Sequence, residues 1–442
     1  MPDALHLKPI DVDAAEKRKQ IKICIVGCGL QGASYVRTFA KAGFKVSCAD
    51  ADQSLLKKLA KGEIVGSQQE IRSYIRDGIL NTTDDVKCAA AQSDVVFLTS
   101  GASTDERGNL DFTAAESYCK QIGAGLQRGT VVIFSGDATL GFTEEVVKET
   151  LERVSGFKMG IDFGVAYVHG AVEDAESEAK LTVAADDSAS LNSALLILST
   201  ATKCSINQIS NVKIAELKSL STALKRNVAT ALMNELAVLC EKAGVDVFEL
   251  LHFLDGALQE DDNYSTISDD EEKHGTELLL ESAENLDVKL KLAKLSLQVN
   301  ESTVRHAVNI TQRVLRDCGK TLRRARIAVL SSVVQEKSEE AFVKMLVAQG
   351  ARINLYSPHV IQNEGYGPLV APKRSLVETV ENSDCIVFLS KEEQFKRLNL
   401  KSLHSVMKSP AGLVDLVGLL EPEKVESEGF LYRGLGRGIE RK

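Results

Sequence analysis

The sequence predicts an α/β protein built in three parts: two parallel-sheet domains with a stretch of long helices between them. Short apolar runs alternate with helical patterns in the first half, and a helical period without strands takes over from residue 212. The strand–helix alternation then returns beyond residue 320. Apolar strands of this length, each separated from the next by a helix, read as parallel sheets covered on both faces.

The elements follow in order. "IKICIV" (21–26) is a strand, and the helical "ASYVRTFAKAG" after it ends on Gly43. "FKVSCAD" (44–50), the helix "QSLLKKLAKG" (53–62) and the strands "DVVFLTS" (94–100) and "TVVIFSG" (130–136) continue the rhythm. Residues 212–244 form one long helix closed by Gly244, "VDVFELLHFL" (245–254) a shorter one, and 290–319 a second long helix closed by Gly319. "ARIAVLSS" (325–332), "ARINLYSP" (351–358) and "DCIVFLS" (384–390) are strands of the last sheet, with the helix "SEEAFVKMLVAQG" (338–350) among them. "LRRAR" (322–326) reads as a solvated junction. The expected domains are 1–208, 209–320 and 321–442.

Composition narrows the function. A formal charge of -9 over 442 residues argues against a general nucleic-acid or membrane-surface binder, which needs a basic face. The polar opening "MPDALHLKPIDVDAAEKRKQ" has no apolar core of a signal peptide, and no apolar run reaches the roughly 20 residues of a membrane span. A cytoplasmic location is expected. The nine cysteines are scattered and read as small buried hydrophobes in a reducing compartment, with no metal site among them.

"IVGCGLQGASYV" places Gly27, Gly29 and Gly32 in G-x-G-x-x-G spacing after a strand and at the opening of a helix. Gly27 permits the tight turn, Gly29 lets the backbone approach a pyrophosphate, and Gly32 lets helix and strand pack closely. The amides of Leu30 and Gln31 stand at the helix N-terminus, where an anion is favoured. Asp50 ends the next strand, about twenty residues on, where a carboxylate takes ribose hydroxyls and repels a 2′-phosphate. The first domain is therefore expected to be a Rossmann domain that binds NAD.

"DERGNLDFTAAES" (105–117), "DFGVAYV" (162–168), "AEL" (215–217), "NELAVLCEKAGVDV" (234–247), "QVNES" (298–302) and "GFLYRGLGRG" (429–438) complete a series. Together with the opening segment, it resembles the archaeal UDP-glucose and UDP-N-acetylmannosamine dehydrogenases over nearly the whole chain. The resemblance implies an NAD domain, a central helical dimerisation domain and a C-terminal Rossmann-like domain of the UDP-sugar-binding type. It also implies two successive NAD-dependent oxidations of a sugar alcohol to a carboxylate, with a cysteine capturing the aldehyde and a lysine and an asparagine supporting it.

The sequence departs from that set. The cysteine position falls at Glu271, and no cysteine stands between Cys240 and Cys318. The lysine position holds Ser219 and the asparagine position Ala223. Lys218 is one residue, about 100° of helix rotation, away. The E-S-T element reads Ser135, Gly136, Asp137; P-T-P reads Gly101, Ala102, Ser103; S-P-E reads Val168, His169, Gly170. The arginine before Ser-Pro is missing from "LSSVVQEKSEEAF" (330–342), and Val417 replaces the arginine of D-G-R-N. Seven acids between Glu260 and Glu272 oppose an anionic substrate.

The cysteine-dependent, four-electron oxidation of a UDP-sugar is therefore not expected. Two readings stay open. One is a two-electron dehydrogenase on another alcohol, with His169 or His274 as base. The other is an NAD-binding pseudoenzyme that forms a homodimer through the central helices or a heterodimer with an active paralogue. Lys218, Lys225 and Asn227 read as solvated or interhelical residues.

Overall fold

The computed structural model describes residues 4–64, 68–104, 109–170, 172, 180–253, 270–331, 337–358 and 368–437. The chain divides into two compact units, 1–221 and 222–442.

The first unit is built on an eight-stranded sheet. Its strands are β1 (Lys22–Val26), β2 (Lys45–Ala49), β3 (Leu80–Thr83), β4 (Val95–Leu98), β7 (Val131–Phe134), β8 (Gly164–His169), β9 (Lys180–Ala184) and β10 (Ser205–Ile209), with a small β5–β6 hairpin (Ser103–Thr104, Leu110–Asp111) apart. The order is β10-β9-β8-β7-β4-β1-β2-β3, parallel except where β8 meets β9. Strands β4 and β7 are buried at every position, as a sheet covered on both faces requires. Helices α1 (Leu30–Lys41) and α2 (Gln53–Lys61) follow β1 and β2; Asp52 caps α2 and Gly62, in the left-handed region, closes it.

Helix α3 (Val212–Ala243) begins in the first unit and continues into the second, where α4 (Asp270–Asn285) and α5 (Lys291–Asp317) follow. Polar residues tie these helices together inside the second unit. Asn300 donates to the Asn227 carbonyl (3.1 Å), Asn234 donates to Asn300 (3.0 Å) and Asn227 to Thr276 (3.2 Å), all four residues being buried. Asn227 is thus interhelical, as expected. The last sheet is entirely parallel, in the order β13-β12-β11-β14-β15-β16, from β11 (Arg326–Leu330), β12 (Arg352–Tyr356), β13 (Val370–Pro372), β14 (Cys385–Phe388), β15 (Gly412–Asp415) and β16 (Leu431–Gly434). Helix α6 (Lys337–Ala348) packs on α5.

Several expectations are corrected. Cys28 and Cys48 are not free thiols but a disulfide, Cα atoms 6.4 Å apart, joining the glycine turn to β2. Cys88 is exposed, and Cys204 precedes β10 rather than lying in it. The acidic segment 260–275 is not one loop: 270–275 opens α4, where acids suit the positive end of a helix. Residues 260–269, like 332–336 of the loop expected to lack an arginine and 105–108 of the resembling motif, lie outside the described residues.

Candidate functional site

The glycine turn has the geometry its spacing predicts. Gly27 has φ of +99°, a conformation L side chains rarely adopt. A Cβ on Gly32 would stand 1.8 Å from the Gly27 carbonyl oxygen, so only glycine lets α1 start this close to β1. Nothing lies within 4 Å of the place a Gly29 Cβ would occupy. That open cradle, at the N-terminus of α1 with Leu30 and Gln31 exposed, fits a pyrophosphate.

Asp50 is buried and fixed. Its carboxylate accepts the Cys28 amide (2.6 Å), the Asp52 amide (2.8 Å) and the Tyr118 hydroxyl (2.8 Å). A carboxylate offers about four acceptor sites, so one is left for a ribose hydroxyl. Tyr118 was not legible as its partner. Burial, reinforced by the Asp50 charge, pushes its phenol up to about 12, so it remains a donor at neutral pH.

The carboxyl edge of the same sheet gathers a second group. Gln31 donates to the Ser135 hydroxyl (3.2 Å), which also meets Tyr35 Oη (2.9 Å). One strand over, β8 ends in Tyr167, Val168 and His169. Ser219 Oγ lies 2.9 Å from His169 Nδ1 and 3.3 Å from Nε2. The structure therefore brings together Ser219 and one of the two candidate histidines. Lys218, on the neighbouring face of α3, donates to Thr182, which pairs with His169 in the β8–β9 register.

Two loops of this edge are locked to each other. A Cβ on Gly101 would meet the Asp137 carbonyl oxygen at 2.1 Å, and one on Gly136 the Gly101 amide nitrogen at 2.7 Å. The loops that carry Gly101 and Gly136 are thus packed backbone to backbone. Glu216 of "AEL" braces a neighbouring turn by accepting the Gly141 amide (2.6 Å), the Thr143 amide (3.0 Å) and the Thr143 hydroxyl (2.6 Å). Burial raises its carboxyl above the ordinary 4.5 against those hydrogen bonds.

In the second unit, Ala223 faces α4 so closely that a Cβ on Gly275 would stand 2.5 Å from its own. The backbone of Glu271 is in the first turn of α4, its side chain outside the described residues. His274 is half-buried and takes no side-chain hydrogen bond among the described residues. Val417 is core, its amide held by Asp415 (3.1 Å). A cavity of about 250 Å³ is lined by Lys273, Asn300, Glu301, Arg305 and Ser338, with Lys273 paired to Glu301 at 3.6 Å.

A parallel sheet opening through this glycine turn, with a carboxylate at the end of β2, defines a Rossmann-type dinucleotide-binding protein. The model of the UDP-glucose/GDP-mannose dehydrogenase family NAD binding domain matches residues 21–183, and that of its UDP binding domain residues 334–422. The chain is 27% identical to UDP-glucose 6-dehydrogenase of Rhizobium meliloti, over 94% of this chain and 100% of that one. It is 23% identical to UDP-N-acetyl-D-mannosamine dehydrogenase of Pyrococcus horikoshii, over 95% of this chain and 100% of the relative. The solved UDP-D-ManNAc dehydrogenase of that organism shares the fold, with a TM-score of 0.78 at 22% identity over 95% of this chain and 100% of that one. The chain belongs to the UDP-glucose/GDP-mannose dehydrogenase family, and its cofactor is NAD. Among the described residues no helix is long and apolar enough to cross a membrane.

Proposed function

We propose that the protein is an NAD-dependent dehydrogenase that oxidises a sugar alcohol by one two-electron step and stops at the carbonyl. The observation carrying this reading is a complete dinucleotide turn in a chain with no thiol between Cys240 and Cys318. Without a nucleophile to hold the aldehyde as a thiohemiacetal, the second oxidation has no covalent intermediate to act on. Gly27, Gly29, Gly32 and the amides of Leu30 and Gln31 would hold the pyrophosphate, and Asp50 a ribose hydroxyl. NAD supplies the two-electron acceptor.

Nucleotide sugars are the first substrates to test, because the relatives are named for UDP-sugars. Lys273 and Arg305 line the cavity of the second unit and give it cations of the kind a diphosphate needs. The reading places boundaries near 208 and 320, a homodimer through the central helices, and a cytoplasmic setting. The test is NADH formation with UDP-glucose, UDP-N-acetylmannosamine and GDP-mannose, with the product identified by mass. An aldehyde or ketone supports the reading; a uronate contradicts it.

The closure of Ala223 on Gly275 favours a second reading, a non-catalytic subunit paired with an active paralogue. NAD binding without NADH formation on any of the three sugars would select it.

A further inference from the structure

The hydrogen bonds that the Asp50 carboxylate already makes decide how much of a ribose it can take. We propose that Tyr118 is a positioning residue for NAD: it closes Asp50 Oδ1 and leaves Oδ2 alone to accept a single ribose hydroxyl. This rests on the assignment of Asp50 to the ribose made above and adds the group that selects the open oxygen.

Tyr118 belongs to the helix Thr113–Gly125, whose buried residues Ala115, Tyr118, Cys119 and Ile122 have the i, i+3, i+4, i+7 spacing of a core-facing stripe. Among these four, Tyr118 alone carries an oxygen, and a buried phenol needs partners for its polar tip. It finds two, both just past the end of β2. The Ala51 amide donates to Tyr118 Oη (3.2 Å), and Oη lies 2.8 Å from Asp50 Oδ1. An amide N–H only donates and a carboxylate oxygen only accepts, so the one phenol proton is directed at Asp50. Burial pushes the phenol up to about 12, and the proton stays in place at neutral pH.

Each carboxylate oxygen offers about two acceptor sites. Asp50 Oδ1 takes the Asp52 amide (2.8 Å) and the Tyr118 hydroxyl, and is full. Oδ2 takes the Cys28 amide (2.6 Å) and keeps one site. Cys28 stands between Gly27 and Gly29, so the open oxygen is the one held against the glycine turn that cradles the pyrophosphate. A carboxylate with both oxygens open can take both hydroxyls of a ribose. Asp50, as Tyr118 holds it, has room for one.

The test is calorimetric binding of the full chain, wild type and Y118F, to NAD and to its analogues lacking the 2′ or the 3′ hydroxyl of the adenosine ribose. In wild type one analogue is expected to bind like NAD and the other about tenfold or more weaker, the cost of a lost hydrogen bond to a charged group. Y118F reopens Oδ1 to the second hydroxyl, so the ratio between the two analogues is expected to shrink by about threefold or more. A tyrosine with a merely structural role would weaken NAD and both analogues alike, and an unchanged ratio in Y118F overturns the inference. Two analogues equally weaker than NAD in wild type also overturn it, and leave Asp50 on the ribose. Two analogues that both bind like NAD overturn the inference and the assignment of Asp50 together. The wild-type ratio decides by itself if Y118F does not fold.

Discussion

The Ser219 hydroxyl lies 2.9 Å from His169 Nδ1, so α3 is bonded to the histidine that closes β8. The two are 50 residues apart in the chain. The hydrogen-bonded pair stands at the carboxyl edge of the sheet. That edge is where ligands of open parallel sheets bind.

The glycine turn gives a clean separation of folding from binding. G29A adds a methyl group into open space and is expected to leave Tm unchanged within about 2 °C. The same methyl fills the pyrophosphate cradle, so NAD affinity by calorimetry should fall about tenfold or more, roughly 1.4 kcal/mol. G32A meets the Gly27 carbonyl and should lose both stability and binding. A G29A protein with wild-type NAD affinity would remove the pyrophosphate from this turn.

Gly101 and Gly136 hold two loop backbones together. G101A puts a methyl group against the Asp137 carbonyl and is expected to cost about 1–3 kcal/mol. In thermal unfolding this should appear as a Tm lower by several degrees. An unchanged Tm would mean that the two loops are not in contact.

Glu216 makes stability depend on pH. Its carboxyl is raised above 4.5 by burial, so the folded protein holds that proton more tightly than the unfolded chain. The stabilisation from the proton is full below 4.5 and is lost as pH rises through the folded value. E216Q cannot titrate, and an amide nitrogen beside the Gly141 and Thr143 donors should cost about 1–3 kcal/mol at pH 4. The gap in Tm between wild type and E216Q should then narrow as pH rises toward 7. A gap that widens over that range contradicts the assignment.

What could be read from the sequence was local. Gly27, Gly29, Gly32 and Asp50 announce themselves because turn, helix start and strand end follow within one strand–helix–strand unit, and α3 and α5 because their period runs for many turns. Pairings across the fold were not legible. His169 and Ser219 meet only once β8 and α3 are placed, and Cys28 meets Cys48 only through the β1–β2 register. The fit of Gly101 to Gly136 joins the ends of two strands, so neither glycine alone announces it. Tyr118 reaches Asp50 from a helix 68 residues on, which no short-range pattern encodes.

The central claim is that oxidation stops after one step, and counting NADH tests it most directly. A limiting amount of each nucleotide sugar is run to completion with excess NAD, trapping any carbonyl product so that equilibrium does not stop the count. One NADH per substrate consumed is the predicted result. Two NADH per substrate, with a uronate as product, would contradict the account and require a second oxidation without the thiol.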